Sequence, residues 1–276
     1  MNVATHAAAG KHLREWRLRR RMSQLEFALE AEISQRHLSF LESGRAIPSR
    51  EMLLHLAERL DIPLRERNAM LLAAGYAPVF AERSLTDPAM AGARAAIDLV
   101  LKGHEPYPAL VVDRHWMLVA ANGALAPLLA QVGNRALLDG PVNVLRLSLH
   151  PEGLAPRIAN LAEWRAHLLE RLRHQVGATN DPVLADLLKE LTAYPATNQL
   201  KAIHAATGTD HGDVLVPLEL ATDAGLLSFI STTTIFGTPR DITLSELALE
   251  AFFPANPKTA EILLRMAAPE SRASGS

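Results

Sequence analysis

The chain has 276 residues, of which 49% are hydrophobic, 21% charged and 5% aromatic, and its formal net charge is −2. This length accommodates about two domains, and the composition excludes an intrinsically disordered chain. Because the sequence contains no cysteine, disulfides, thiolate metal sites and cysteine nucleophiles are excluded.

Charge and hydropathy vary along the chain in a way that bears on its partners. Residues 1–80 hold 12 Lys and Arg against 9 Asp and Glu, so this part is basic and the remainder is acidic. The sequence lacks the roughly 18 consecutive apolar residues of a membrane span and the apolar core of a secretory signal. We therefore expect a cytoplasmic protein without a membrane partner.

A first helix is predicted from Gly10 to Arg21, because Leu13 and Trp16 recur at helical spacing. We expect its basic side chains to point outward, where such a cluster either meets phosphate or forms a solvated helix face. The cluster comprises Lys11, Arg14, Arg17, Arg19, Arg20 and Arg21.

A second helix is predicted to begin at Ser23, because Ser23 and Glu26 have the spacing of a capping box. Leu25, Ala28 and Leu29 form its expected apolar stripe.

A third helix is predicted to start at Ser34, another candidate N-cap, with Leu38 and Leu41 facing the core. Gly44 is expected to end this helix in the left-handed conformation. Two more helices are predicted within residues 49–75, so the first eighty residues should form an all-α bundle of about five helices.

The stretch SQLEFALEAEISQRHLSFLESGRAIPS, residues 23–49, resembles the helix-turn-helix of the XRE family of phage-repressor-like regulators. Its pattern is S-Q-x-x-L-A, a turn, S-x-x-x-L-S-x-x-E-x-G and a later P-S, and the likeness spans roughly residues 10–75. Glu32 stands where the turn often carries Gly. The resemblance implies double-stranded operator DNA as partner, with the second helix of the motif in the major groove.

On this resemblance, Gln35, Arg36 and Ser39 are the expected base contacts, with His37 a weaker candidate. A Gln amide can pair with adenine and an Arg guanidinium with guanine, each adding about 1–3 kcal/mol of discrimination. Phe40 either touches a thymine methyl or packs internally.

Phosphate contacts are expected from Gln24, at the start of the second helix, and from Arg45 and Arg50 beyond the third. Such contacts position the protein on DNA without specifying sequence. Ser34, at the start of the third helix, is included among the DNA-binding residues.

The C-terminal part begins with a connecting helix predicted from Pro88 to Lys102 and started by Asp87. The segments 109–112 and 116–121 are β-type runs around a polar turn, which indicates a hairpin. Asn122 is then expected to cap a helix.

Later segments alternate between helix and strand signals. Residues 154–194 are strongly helical, with a break near Gly177, and strand patterns follow over 213–222 and 225–237. Thr243 and Glu246 have capping-box spacing, which predicts a helix ended by Pro254. The order indicates an α+β C-terminal domain with an antiparallel sheet, similar to a PAS-type fold.

Three phrases within residues 105–265 resemble the ligand-binding domain of MmyB-like regulators: YPALVVDRHWMLVAANGAL, NVLRLSLHPEGLAPRIANLAEW and LSFISTTTIFGTPRDITLSELALEAFFP. This resemblance implies a transcription factor that senses a small apolar ligand, fatty-acid-like in at least some relatives. The expected domains are a DNA-binding domain over 1–78, a linker and connecting helix over 79–104, a ligand-binding domain over 105–267 and a disordered tail over 268–276.

Four aromatic residues of this domain either line a ligand cavity or belong to an ordinary core: Trp116, Trp164, Phe229 and Phe236. His150 and Arg157 are weaker candidates as partners of a ligand carboxylate.

Two other readings stay open. One is a homodimeric regulator without a ligand, in which the C-terminal domain only joins the subunits. Helix-turn-helix motifs usually act in such dimers, which read two half-sites about 34 Å apart or a multiple of that spacing. The other is an enzyme tethered to DNA, although no nucleophile elbow or phosphate loop is present and no catalytic residue or cofactor is expected. His204, His211 and Asp213 lie close in sequence, but their loop lacks the spacing of metal ligands, and no metal is predicted.

Overall fold

The structure, a computed structural model, describes residues 3–195 and 215–267. The described residues form two compact units. The first comprises residues up to Asp87 together with Gly237–Ser245, and the second comprises the rest. The predicted disordered tail and the His204–Asp213 loop lie outside the described residues.

The first unit contains the five helices predicted from sequence. They are α1 (Val3–Arg19), α2 (Gln24–Glu30), α3 (Gln35–Glu42), α4 (Arg50–Arg59) and α5 (Leu64–Ala73). The first helix begins earlier than the predicted Gly10 and ends before Arg21, which adopts a left-handed φ of 57°.

Local hydrogen bonds fix where α2 and α3 begin. Ser23 Oγ accepts from the Glu26 amide over 3.1 Å, and Glu26 Oε2 accepts from the Ser23 amide over 2.7 Å, which completes the predicted capping box. Ser34 Oγ likewise accepts from the His37 amide. Between the helices, Glu32 has a φ of 56°, so a non-glycine residue carries the left-handed turn.

Helices α1 to α5 enclose one apolar core. Leu13, Trp16, Leu38 and Leu41 are buried as predicted. The predicted apolar stripe of α2 is wrong in part, because Leu25 and Leu29 are 53% and 70% exposed. Ala28 is buried as predicted, and the large apolar side chain that α2 contributes to the core is Phe27.

The segment Gly237–Ser245 completes the first unit. The Ile242 amide donates to the Ala81 carbonyl over 2.8 Å, and Ile242 is buried. Arg83 Nη1 donates to Asp241 Oδ2 over 3.0 Å, while Asp241 Oδ1 accepts from the Thr243 amide. A one-turn helix, α11 (Ile242–Ser245), follows.

The second unit combines helices with a single sheet. Its α-helices are α6 (Ala91–Gly103), α7 (Ala126–Leu129), α8 (Val144–Leu149), α9 (Leu161–Thr179), α10 (Pro182–Ala193) and α12 (Pro257–Ala267). Short 3₁₀ helices cover Pro88–Met90, Gly123–Leu125, Arg135–Leu138 and Ala155–Arg157. No helix among the described residues is long and apolar enough to cross a membrane.

The strands are β1 (Ala109–Val112), β2 (Leu118–Ala121), β3 (Leu218–Thr222), β4 (Gly225–Ile235) and β5 (Ala248–Pro254). They form one antiparallel sheet in the order β2-β1-β5-β4-β3. The predicted all-α bundle followed by an α+β domain with an antiparallel sheet is therefore confirmed.

The helix predicted to end at Pro254 is wrong. The capping-box spacing of Thr243 and Glu246 supports only the single turn of α11, and β5 follows at the centre of the sheet. Leu110 of β1 pairs with Glu250, and Thr233 of β4 pairs with the same residue from the other side.

Three smaller predictions about element boundaries need correction. Strand β2 begins after Trp116 rather than at it, because Trp116 has a left-handed φ of 65°. Asn122 stands at the N-cap position of the 3₁₀ helix Gly123–Leu125, but its side chain does not cap that helix, since its Oδ1 accepts from the Ala109 amide and its Nδ2 donates to two carbonyls. The connecting helix begins at Pro88 as predicted, but its first turn is a 3₁₀ helix, and α6 starts only after Met90.

A candidate DNA-contacting surface and a candidate ligand cavity

The N-terminal turn of α3 presents polar side chains at the surface. Ser34, Gln35 and Arg36 are exposed, whereas His37 and Ser39 are half-buried. Buried Leu38 and Leu41 hold the opposite face of the helix in the core, so this surface has a fixed orientation. A short helix anchored in this way can enter the major groove with its first residues on base edges.

Phe40 lies between two of the predicted DNA-contacting cations. The Arg36 guanidinium is 5.4 Å from the centre of its ring, and the Arg45 guanidinium is 6.0 Å from it. Cation–π contacts at these distances restrain long side chains at the surface without neutralising them.

Gln24 is tied to a buried ion pair. Its Nε2 donates to Glu42 Oε2 over 2.8 Å, while Arg17 donates to both carboxylate oxygens of Glu42. The network joins α1, α2 and α3 at one point. It holds the Gln24 amide in a fixed orientation at the start of α2, where a phosphate contact is predicted.

The expectation that all basic side chains of α1 point outward is wrong. Arg17 is buried against Glu42, and Arg20 donates to the carbonyls of Leu60 and Asp61 at the end of α4. These two cations support the fold. Arg45 and Arg50 remain exposed, and Arg50 is the first residue of α4, after the N-cap Ser49.

The second unit encloses an apolar cavity of about 110 Å³ between the sheet and the helices α7, α8 and α9. Trp116, Trp164 and Phe229 line it, as do many leucines of these elements. Its volume is below the ~300–1,000 Å³ typical of small-molecule sites, so a larger ligand has to displace lining side chains.

The other predicted ligand-contacting residues do not line this cavity. Phe236 follows the end of β4 and does not line the cavity. His150 Nδ1 accepts from the Glu152 amide, and its ring meets Tyr194 edge-on. Arg157 pairs with Asp223 over 3.2 Å.

An ion pair with a buried carboxylate lies in the cavity wall, and neither of its residues is among the predicted site residues. Arg171 donates to Glu250 Oε1 over 2.6 Å and to Glu250 Oε2 over 3.1 Å. Thr233 Oγ1 accepts from Arg171 over 2.7 Å and donates to Glu250 over 3.0 Å. Glu250, an acidic residue within an apolar run, is the sequence signal that could point to this pair.

Trp116 connects the ion pair to the helical wall. The Arg171 guanidinium lies 4.6 Å from the centre of the Trp116 ring. The indole Nε1 of Trp116 donates to Gln175 Oε1 over 2.8 Å. Its left-handed backbone is unusual for a bulky residue and costs of order 1–3 kcal/mol. The hydrogen bonds around this turn therefore hold the indole in the cavity wall at a cost in backbone strain.

The other polar features near the cavity carry no charge at neutral pH. Trp164 Nε1 donates to Ser148 Oγ over 3.1 Å. The ring of His167 stacks on Trp164, with centroids 5.5 Å apart. Burial, reinforced by the charge of Arg171, lowers the pKa of His167 below its ordinary value, so this imidazole is mainly neutral there.

Comparison with known families gives two matches. The family model described as MmyB-like transcription regulator ligand binding domain matches residues 93–266. A helix-turn-helix model matches residues 13–67. These ranges contain the cavity and the exposed face of α3, respectively. No curated protein matches the chain.

Proposed function

The chain belongs to the MmyB-like transcription regulator family, and from this we propose that it is a sequence-specific regulator whose DNA binding responds to a small apolar ligand with a fatty-acid-like chain. The observation that carries the proposal is the exposed first turn of α3 in a chain that also holds an apolar cavity. In this role α3 lies in the major groove of operator DNA.

Each predicted DNA contact has a separate role in this proposal. Gln35, Arg36 and Ser39 read base edges, and His37 contributes at the margin of the same surface. Side chains outside α3 contact the DNA backbone, since phosphate contacts fix position and base contacts fix sequence. Gln24, Arg45, Arg50 and Ser34 belong to this positioning set.

We infer that the protein acts as a homodimer in the cytoplasm. A single helix-turn-helix covers one half-site, and two related copies read half-sites about 34 Å apart or a multiple of that spacing. The family's domains are those of a regulator, and the proposal assigns no catalytic step or cofactor to this chain.

Chain connectivity supports coupling between ligand and DNA. Strands β4 and β5 both contribute to the cavity wall, through Phe229, Ser231, Glu250 and Phe252. The segment that connects these two strands, Gly237–Ser245, belongs to the helix-turn-helix unit. A ligand that spreads β4 and β5 therefore acts on a segment that is bonded to Ala81 and Arg83, in the part of the helix-turn-helix unit that follows α5.

Two measurements test the proposal. Selection of bound duplexes from a random pool by the purified full chain should yield a defined, two-fold related sequence. Native mass spectrometry of the same sample should show a dimer and a bound apolar molecule. Indifference to all duplexes would reject the DNA-binding role, whereas specific DNA binding by a dimer that never binds apolar compounds would leave only the scaffolding alternative.

A further inference from the structure

We infer that the cavity selects an acyl chain with an uncharged carbonyl head group, such as an amide, ester or lactone, over the free carboxylate of a fatty acid. The inference rests on the proposed ligand-sensing function and specifies the ligand's chemical class. It follows from the ion pair of Arg171 and Glu250 in the wall of a mainly apolar cavity, where Thr233 is hydrogen-bonded to both partners.

The cavity wall has no spare positive charge among its described residues. Arg171 is the one cation in that part of the wall, and both carboxylate oxygens of Glu250 accept from it. Thr233 accepts from the guanidinium and donates to the same carboxylate. The positive and negative charges therefore cancel within one closed set of hydrogen bonds.

A carboxylate ligand disturbs this balance in either way that it can bind. If it takes Arg171 away, Glu250, whose side chain is only 6% exposed, keeps a negative charge without its partner. If it shares Arg171, whose side chain is 30% exposed, two carboxylates stand around one cation in a partly desolvated site. Both arrangements bury an uncompensated negative charge, which binding has to offset.

A neutral carbonyl avoids this cost. A guanidinium has five N–H donors, and among the described residues Arg171 uses three of them, two toward Glu250 and one toward Thr233. A carbonyl oxygen can accept from the remaining donors while Glu250 keeps its partner. The charge of the cavity then stays at zero.

The rest of the wall suits an alkyl chain. Trp164, Leu168 and Arg171 follow one another along the cavity side of α9, so the ion pair lies about two turns, or roughly 10 Å, from Trp164. The polar contact at that far end joins Trp164 to the neutral hydroxyl of Ser148. No group placed there among the described lining residues supplies a charge for an anionic head.

Two chain-matched probes, decanamide and sodium decanoate, test the inference by calorimetric titration into the purified full chain at neutral pH. Decanamide is expected to bind at least about tenfold more tightly than decanoate, because only decanoate adds a charge to the site. The variant Glu250→Gln frees Arg171 and should reverse this preference toward decanoate. Glu190→Gln breaks a comparable Arg–Glu pair, with Arg146, outside the cavity and should leave the preference unchanged.

The wild-type comparison decides the matter even if Glu250→Gln fails to fold. Decanoate binding as tightly as decanamide, or more tightly, overturns the head-group inference while leaving apolar sensing intact. Failure of decanamide to bind also overturns it. DNA binding by the same samples is measured separately on a selected duplex, and its absence would count against the regulator function and not against the head-group preference.

Discussion

Arg17 Nε donates to Glu42 Oε1 over 2.6 Å, and both side chains are buried where α1 meets α3. Removing one partner of a buried pair leaves the other charge without compensation. We therefore expect Glu42→Ala to lower the free energy of unfolding of the helix-turn-helix unit by about 3–5 kcal/mol. Urea denaturation of the wild type and the variant measures this change.

A surface ion pair on α1 provides the control for the buried pair. Lys11 and Glu15 lie 3.9 Å apart with exposed side chains, and such pairs contribute about 0–1 kcal/mol. Glu15→Ala should thus leave the urea midpoint almost unchanged. Similar losses in Glu15→Ala and Glu42→Ala would show that the buried pair does not anchor α3.

The second prediction separates base reading from phosphate binding. Arg36 is exposed in the first turn of α3, whereas Arg45 lies beyond its end. Arg36→Ala is expected to cost about 1–3 kcal/mol on the selected duplex and much less on a mismatched one. Arg45→Ala should weaken binding to both duplexes alike.

Salt dependence gives an independent reading of the same pair of variants. Loss of one phosphate contact reduces the slope of log affinity against log salt by about one, which is expected for Arg45→Ala. Fluorescence anisotropy at several salt concentrations measures the slope. Equal losses on matched and mismatched duplexes for both variants would contradict the assignment.

The third prediction concerns cavity volume. Leu168 lies between Trp164 and Arg171 on the cavity side of α9, so Leu168→Trp fills space that the ligand needs. We expect this variant to lose decanamide binding and to keep its affinity for the selected duplex. Overpacking should cost about 1–3 kcal/mol of stability.

The neighbouring position supplies a matched control. Leu169 is buried on the same helix but does not line the cavity. Leu169→Trp should therefore cost similar stability in thermal unfolding while retaining decanamide binding. Loss of binding in both variants would mean that general destabilisation, and not the filled cavity, removes the ligand.

The fourth prediction is a pH dependence of stability. Burial, then the charge of Arg171, lowers the pKa of His167 below 6.5, while the nearby Glu250 opposes the shift. As the pH falls through 6.5, the unfolded chain takes up a proton that the folded chain does not, so the free energy of unfolding decreases. The decrease stops below the folded pKa, where both states are protonated.

His167→Gln removes this proton uptake. The free energy of unfolding of this variant should change less than that of the wild type between about pH 7.5 and pH 5.5. The reason is that the glutamine side chain binds no proton in either the folded or the unfolded chain. Urea titrations at each pH measure the effect. A wild-type protein that loses no more stability than the variant over this interval would contradict the lowered pKa.

Local sequence signals suffice for the helix-turn-helix. Ser23, Ser34 and Gly44 mark helix ends through contacts within four residues, and the structure confirms each of them. The burial of Arg17 could not be predicted in the same way. Its partner Glu42 lies 25 residues away, and a basic residue among other basic residues gives no sign of a buried pair.

Strand β5 shows why the rest of the fold escapes local reasoning. Thr243 and Glu246 imitate a helix start, but the residues that follow pair with β1, more than 130 residues earlier in the chain. Tertiary pairing of this kind overrides a local capping signal. The ion pair at the cavity follows from the same pairing, because Glu250 faces Arg171 only when β5 lies between β1 and β4.

The fifth prediction tests coupling between ligand and DNA. Asp241 anchors the segment between β4 and β5 through its ion pair with Arg83, and both residues belong to the helix-turn-helix unit. Asp241→Ala should keep decanamide affinity but reduce the ligand's effect on DNA affinity, which we expect to be about 1–3 kcal/mol in the wild type. Anisotropy titrations of the selected duplex with and without decanamide measure that effect.

Asp223→Ala is the control for Asp241→Ala. Asp223 lies in the turn between β3 and β4, within the second unit, and pairs with Arg157. Asp223→Ala removes an exposed pair of little energetic weight and should leave the ligand's effect on DNA affinity unchanged. The anchored segment transmits ligand occupancy only if Asp241→Ala and Asp223→Ala differ in this way. An undiminished ligand effect in Asp241→Ala would place the coupling elsewhere in the chain.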